Sequence, residues 1–277
     1  MYTEKNQSIK FKTRSDTKGL AESLIEIKAI CDKYELFFWL NYGALLGTVR
    51  EGRLLPWNND IELGCWTDEA SNEKIKQVTD VLIAIGYTCF YYRSVGTLNI
   101  KKGDLIDINI NLYWAAGDYA VRPHETPSKY QGHHIFASIF YWLAVFIYIY
   151  PNNFHQTYTK RRIKDHIKIA VMRVFSYFSA DTRERYFNKL LNWSEFFGGA
   201  FQQTGIPASY FSSFKTLNFY GSDMNIPDQP EKLLAFIYGE DWSVPKDKWS
   251  FYDEKNKSHS GIVFINKRFD YSQIDIN

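Results

Sequence analysis

From Leu20 to Tyr34 the apolar positions Leu20, Leu24, Ile27, Cys31 and Tyr34 recur three or four residues apart, with polar residues between them. That spacing puts them on one helical stripe and predicts a helix lying on a core. The pattern then shortens. Phe37–Leu40 reads as a buried strand, Gly43 interrupts it, and Ala44–Arg50 reads as a short helix launched from that strand. After a turn at Glu51-Gly52-Arg53, Ile61–Cys65 reads as a second strand. Thr67 or Asp68 is placed to cap a helix with Ile75, Val78, Leu82 and Ile85 on its inner face and Gly86 at its stop. Strands follow at Cys89–Tyr92 and Thr97–Lys101, then a hairpin turn at Lys102-Gly103-Asp104 and a strand at Leu105–Leu112.

Residues 113–215 lose this alternation and read as mostly helical. Ile135–Tyr150 is uncharged and aromatic-rich, just short of the roughly 17–25 residues that span a bilayer. Three readings stay open for it: a buried helix, an interfacial or re-entrant membrane-docking helix, and a true span. The basic set Lys160, Arg161, Arg162, Lys164, Lys168 and Arg173 follows, opposite Ile163, Ile167 and Val171. It is either a solvated helix face or a surface for anionic lipid headgroups or a lipid-linked acceptor. Near the end Asp228-Gln229-Pro230-Glu231 fits a capping box, opening a helix through Leu234 and Ile237 that Gly239 ends. The coarse expectation is one α+β domain over 1–277. It has a mixed β-sheet with flanking helices at 15–112, a mostly helical elaboration at 113–215 and a C-terminal element at 216–277.

Composition narrows the chemistry. The 277 residues are 45% hydrophobic and 18% aromatic, enough for one substantial core. The net charge of +2, from 33 basic and 31 acidic residues, supplies no global field for nucleic acid. Cys31, Cys65 and Cys89 form no CxxC pair and read as buried small hydrophobes in a reducing compartment. The polar stretch Met1–Gln7 lacks the apolar core of a secretory signal, so a cytoplasmic location is expected, with Ile135–Tyr150 as a candidate peripheral contact on the inner face of the membrane. His124, His133, His134, His155, His166 and His259 make no HExxH or HxxxH arrangement. No P-loop and no serine–histidine–acid order is visible.

The carboxylates are more informative. In a strand, side chains alternate, so Asp60 and Glu62 point one way while Ile61 and Leu63 point into the core. Two like charges side by side repel unless a divalent cation joins them, and Mg²⁺ uses a few carboxylates with water and phosphate oxygens. A solvated strand face is the alternative. Leu105–Leu112 alternates in the same way, with Ile106, Ile108 and Ile110 on one face and Asp107, Asn109 and Asn111 on the other, which offers a third acid. Upstream, Gly43 and Gly47 flank a strand-to-helix junction whose backbone N–H groups suit phosphate, and Arg50 on the same helix adds a phosphate grip.

These blocks carry a family resemblance. Tyr42-Gly43-Ala44-Leu45-Leu46-Gly47-Thr48-Val49-Arg50, followed by Leu55-Pro56-Trp57-Asn58-Asn59-Asp60-Ile61-Glu62-Leu63-Gly64, resembles the LicD / fukutin family of the nucleotidyltransferase-fold superfamily. Ile226-Pro227 and Tyr238-Gly239-Glu240-Asp241-Trp242 resemble that family's closing element. The resemblance implies a phosphotransferase that moves a phosphocholine or phospho-alditol unit from a CDP-activated donor to a hydroxyl of a glycan or its lipid-linked precursor, releasing CMP. It implies that Asp60, Glu62 and Asp107 hold Mg²⁺ (or Mn²⁺), that Asp107 alternatively accepts the acceptor's proton, and that Gly43, Gly47, Arg50 and Asn58 meet phosphate. Two positions depart from the family pattern: Asn58 replaces the first acid of the run, and Glu62 replaces the commoner aspartate. A nucleotidyl transfer on the same fold, and a non-catalytic membrane-associated relative, remain the alternatives.

Overall fold

The computed structural model describes residues 17–58, 60–92, 96–103, 105, 107–124, 135–148, 174, 177–198, 202–245 and 263–265. Helix α1 (Thr17–Lys33) buries the predicted stripe, with Leu24, Ile27 and Cys31 wholly inside. Strand β1 (Trp39–Leu40) leads through Asn41 into α2 (Tyr42–Glu51), two residues earlier than the apolar pattern suggests. The reason is the buried cap: the Asn41 side chain accepts the Tyr42 N–H and donates through Nδ2 to the Tyr113 hydroxyl at 2.8 Å. Gly52, at φ 66°, closes α2: its N–H returns to the Thr48 carbonyl and the Arg53 N–H to the Gly47 carbonyl.

Strand β2 (Asp60–Trp66) is followed by α3 (Asn72–Ala84), which starts later than Thr67 or Asp68 would allow. Ser71 caps it, because Thr67 gives both its N–H and its hydroxyl to the Tyr113 carbonyl. Strands β3 (Thr88–Tyr92) and β4 (Thr97–Lys101) form a hairpin, and β5 runs from Asp107 to Ala116. The predicted turn residue Asp104 lies outside the described residues.

Strand β5 organises the sheet. Its first part sits between β2, in parallel, and β4, antiparallel; its last residues pair with β6 (Tyr119–His124). Strand β7 (Gln202–Pro207) pairs with β6, and β10 (Val263–Ile265) with β7. Besides its helices, the described part of 113–215 contributes two strands, β6 and β7, that widen the sheet. Residues 202–207 read QQTGIP, with no apolar alternation, so backbone pairing makes a strand that side-chain pattern does not announce.

Helices α4 (Ile135–Tyr148) and α5 (Ala180–Phe196) pack on each other antiparallel, with the Ser194 hydroxyl donating to the Ala137 carbonyl at 2.8 Å. At 14 residues α4 measures about 21 Å, against a hydrocarbon core of about 30 Å. No helix among the described residues is long and apolar enough to cross a membrane. One α4 face is buried through Ala137, Tyr141 and Ala144, and the other is exposed. The basic run at 160–173 lies outside the described residues, as do His133, His134, His155, His166 and His259.

After a short 3₁₀ turn (Ala208–Phe211), β8 (Phe214–Phe219) and β9 (Ser222–Pro227) make a separate hairpin. Tyr220 and Gly221 both have positive φ, 52° and 82°, as the hairpin's tight two-residue turn requires. Asn225 donates to the Phe38 carbonyl at 2.8 Å and ties this hairpin to β1. Helix α6 (Pro230–Tyr238) follows, but the capping box does not form: Gln229 is the N-cap and makes no side-chain bond, leaving Pro230 to start the helix.

One sheet face, with Ile61, Leu63, Cys65, Ile108, Ile110 and Leu112, is buried in the same core as α1 and α3. The three cysteines lie there, buried and free, as the sequence predicts. The alternate residues of β2 and β5 form the other face, which carries the site.

Candidate active site

Parallel pairing of β2 with β5 sets Asp60 opposite Asp107, Glu62 opposite Asn109 and Gly64 opposite Asn111. All three predicted acids therefore share one face at the starting ends of two neighbouring strands. Further along, this face turns aromatic. Tyr113 and Trp66 pack against Trp39, and a Cβ at Gly64 would run into the Trp39 ring. The glycine lets β1 lay its indole over β2.

Amides and cations orient the acids. Asn99 of β4 donates to the Asn109 oxygen at 2.8 Å, and Asn109 donates to Asp60 at 3.0 Å. Lys101 binds Asp107 at 2.8 Å. Arg122 of β6 reaches Glu62 at 3.4 Å and the Thr97 hydroxyl at 3.4 Å, while Thr97 donates to Asn111 at 3.0 Å. Glu62 keeps 24% of its side-chain surface open. Burial pushes its carboxyl up to about 7; Arg122 pulls it down, and the charge of Asp60 pushes it further up. The site thus holds a second acid that its surroundings charge only at a cost.

This donor set is made of carboxylate and amide oxygens, which suits a hard cation such as Mg²⁺. Among the described residues no group of three or more His, Cys, Asp or Glu side chains is arranged to hold a metal ion. Lys101 pairs with Asp107, and Asp60 and Glu62 are two acids on one face. Two carboxylates are a sufficient protein contribution where water and substrate phosphate complete the shell.

The residues expected to meet phosphate are spread around this face. Asn58 lies against the first turn of α2, where a Cβ at Gly43 would stand 2.8 Å from its Nδ2. Gly47 is inside α2, pressed on the returning chain, with a Cβ there 2.5 Å from the Arg53 carbonyl oxygen. Packing alone accounts for that glycine. Arg50, 10% exposed, donates to Glu51 at 2.7 Å and to the Trp242 carbonyl at 3.4 Å, and its Nε is buried with no hydrogen-bond partner among the described residues.

Reading the sequence left four neighbours of the site without a role. Asn41 caps α2 from the interior. Tyr238, at the end of α6, is buried where burial raises its phenol, with Glu62 and Asp60 pushing the same way and Arg50 opposing. Lys101 was recoverable, since a hairpin at 102–104 brings it beside Asp107. Arg122 was not, because no motif surrounds it and β6 itself was not legible.

Comparison with known proteins gives three findings. Residues 35–140 match the family model described as LicD/FKTN/FKRP, nucleotidyltransferase domain. Ribitol 5-phosphate transferase FKRP of Mus musculus and of Homo sapiens are each 29% identical over 55 residues, 20% of this chain and 11% of the relative, so the chain matches a small part of those proteins' length. Among solved structures, ANT(2'')-Ia in complex with adenylyl-2''-tobramycin is 14% identical, with 63% of this chain and 98% of that chain covered and a TM-score of 0.29. The lincosamide antibiotic adenylyltransferase LnuA, lincomycin-bound, is 12% identical, with 59% and 99% covered and the same TM-score of 0.29.

Proposed function

We propose, from the LicD/FKTN/FKRP nucleotidyltransferase domain that residues 35–140 carry and the transferase class it marks, that this protein is a metal-dependent phosphotransferase. It moves a phospho-substituent of the phosphocholine, ribitol phosphate or glycerol phosphate class from a CDP-activated donor to a hydroxyl of a glycan or its lipid-linked precursor. The observation that carries this reading is the parallel register that sets Asp60, Glu62 and Asp107 on one face.

Asp60 and Glu62 would hold Mg²⁺ (or Mn²⁺), with Asp107 alongside. Bound there, the cation would supply charge neutralisation and polarisation at phosphoryl oxygens. The chain's own residues do the rest. Asn109 fixes the Asp60 carboxylate, and Arg122 holds Glu62 in place. Asp107 would accept the proton of the acceptor hydroxyl. That oxygen attacks the phosphorus bearing the substituent, the bond to the bridging oxygen breaks, and CMP departs with the bonding electrons. Asn58 and the first turn of α2, beside the acids in sequence and space, form the phosphate side, and Arg50 adds positive charge behind it. Asn58 contributes an amide oxygen where the family pattern has a charged acid.

Incubation with CDP-choline, CDP-ribitol or CDP-glycerol, an acceptor glycan and Mg²⁺ is expected to release CMP. Absence of CMP with every donor, or release of pyrophosphate from a nucleoside triphosphate instead, would overturn the proposal in favour of nucleotidyl transfer or a non-catalytic role.

A further inference from the structure

We infer that the exposed face of the α4–α5 pair docks on an anionic lipid bilayer. The first observation is where the exposed apolar residues lie. Ile135, Phe136, Ile139 and Trp142 fall at positions one, two, five and eight of α4, which is one helical face, and they are 69%, 55%, 46% and 52% exposed. Helix α5 adds Trp193 and Phe196, the latter 82% exposed. Phe136 meets Phe197 at 5.5 Å, Phe197 meets Phe196 at 5.2 Å, and Phe140 meets Trp193 at 5.1 Å, so the two helices make one continuous surface. An exposed apolar area of this continuity marks an interaction site.

Chemistry selects the occupant. Between Ile135 and Tyr148 there is no Asp, Glu, Lys or Arg, yet the helix is too short to span. An exposed apolar, aromatic helix face of this length fits the headgroup–acyl boundary of a bilayer. The α5 stripe through Arg185, Lys189, Trp193 and Phe196 is cationic at one end and aromatic at the other, and Lys189 Nζ stands 5.1 Å from the Trp193 ring centre. Glu195 is the acid beside this aromatic end. Between Ile149 and Ser179, the sequence joining the two helices holds six basic residues, Lys160, Arg161, Arg162, Lys164, Lys168 and Arg173, and one acidic residue, Asp165. Such an excess, adjoining these helices in the sequence, matches negatively charged headgroups.

The test is flotation of the full chain with phosphatidylcholine vesicles, with and without phosphatidylglycerol. The wild-type protein is expected to float with the anionic vesicles and far less with the neutral ones. The variant Ile135→Ser/Ile139→Ser/Phe196→Ser is expected to lose at least about tenfold in vesicle affinity while keeping its melting temperature. A second variant, Arg185→Glu/Lys189→Glu, leaves the apolar residues untouched and is expected to weaken binding to anionic vesicles alone, which keeps the test decisive if the first does not fold. The inference is overturned if the folded wild-type protein does not float, or if the charge-reversed variant and any folded triple variant bind as the wild type does. It is also overturned if light scattering shows a dimer that the triple variant dissociates without any vesicle binding.

Discussion

Asp60 and Glu62 are two residues apart on one strand, and their surroundings treat them differently. Asp60 is oriented by an amide, Asn109, whereas Glu62 is half-buried beside Arg122 and has its carboxyl raised to about 7. The two conspicuous glycines ahead of them separate at the same scale. Gly47→Ala is expected to destabilise the fold by about 1–3 kcal/mol, because the new methyl meets the Arg53 backbone. Thermal melting checks this, and an unchanged melting temperature would contradict the packing role. Asn41→Ala removes both the α2 cap and the bond to Tyr113, and is expected to cost about 1–2 kcal/mol in chemical denaturation.

At the scale of elements, the acidic strand and its neighbours were legible because their alternation is strict: Ile61 and Leu63 against Asp60 and Glu62, Ile108 and Ile110 against Asp107 and Asn109. The α1 stripe was legible for the same reason at a different period. Strand β7 was not, since Gln202, Gln203 and Thr204 give no apolar alternation and β6 supplies its bonds. The β8–β9 hairpin was also hidden, because its turn places a tyrosine, Tyr220, where asparagine or glycine would have signalled the left-handed backbone. The three cysteines, on α1, β2 and β3, report on the packing of the legible half. Burial pushes the thiols of Cys31 and Cys89 up to about 12 and raises Cys65 too. A raised thiol stays protonated at pH 8, and alkylation needs the thiolate. Iodoacetamide at pH 8 is therefore expected to leave all three unmodified in the folded protein and to label them promptly in denaturant; rapid native labelling, read by mass spectrometry, would contradict the packing.

Over the whole molecule, the core helices and the site occupy opposite faces of one sheet, and the C-terminal element returns to close on the site through Trp242 and Tyr238. The residues that match the family model lie within 35–140, and the parts legible by pattern alone lie mostly within the same stretch. Two residues outside the legible pattern contribute what pattern cannot show: Arg122 beside Glu62, and Tyr238 beside Arg50. The central claim is that the Asp60–Glu62 face performs transfer. Its most direct test is CMP release by Asp60→Asn with the best CDP-activated donor and Mg²⁺, measured beside the wild-type protein and its melting curve. The account predicts a loss of at least about 10²-fold with the melting temperature kept. Turnover at the wild-type rate by a folded Asp60→Asn protein would contradict it.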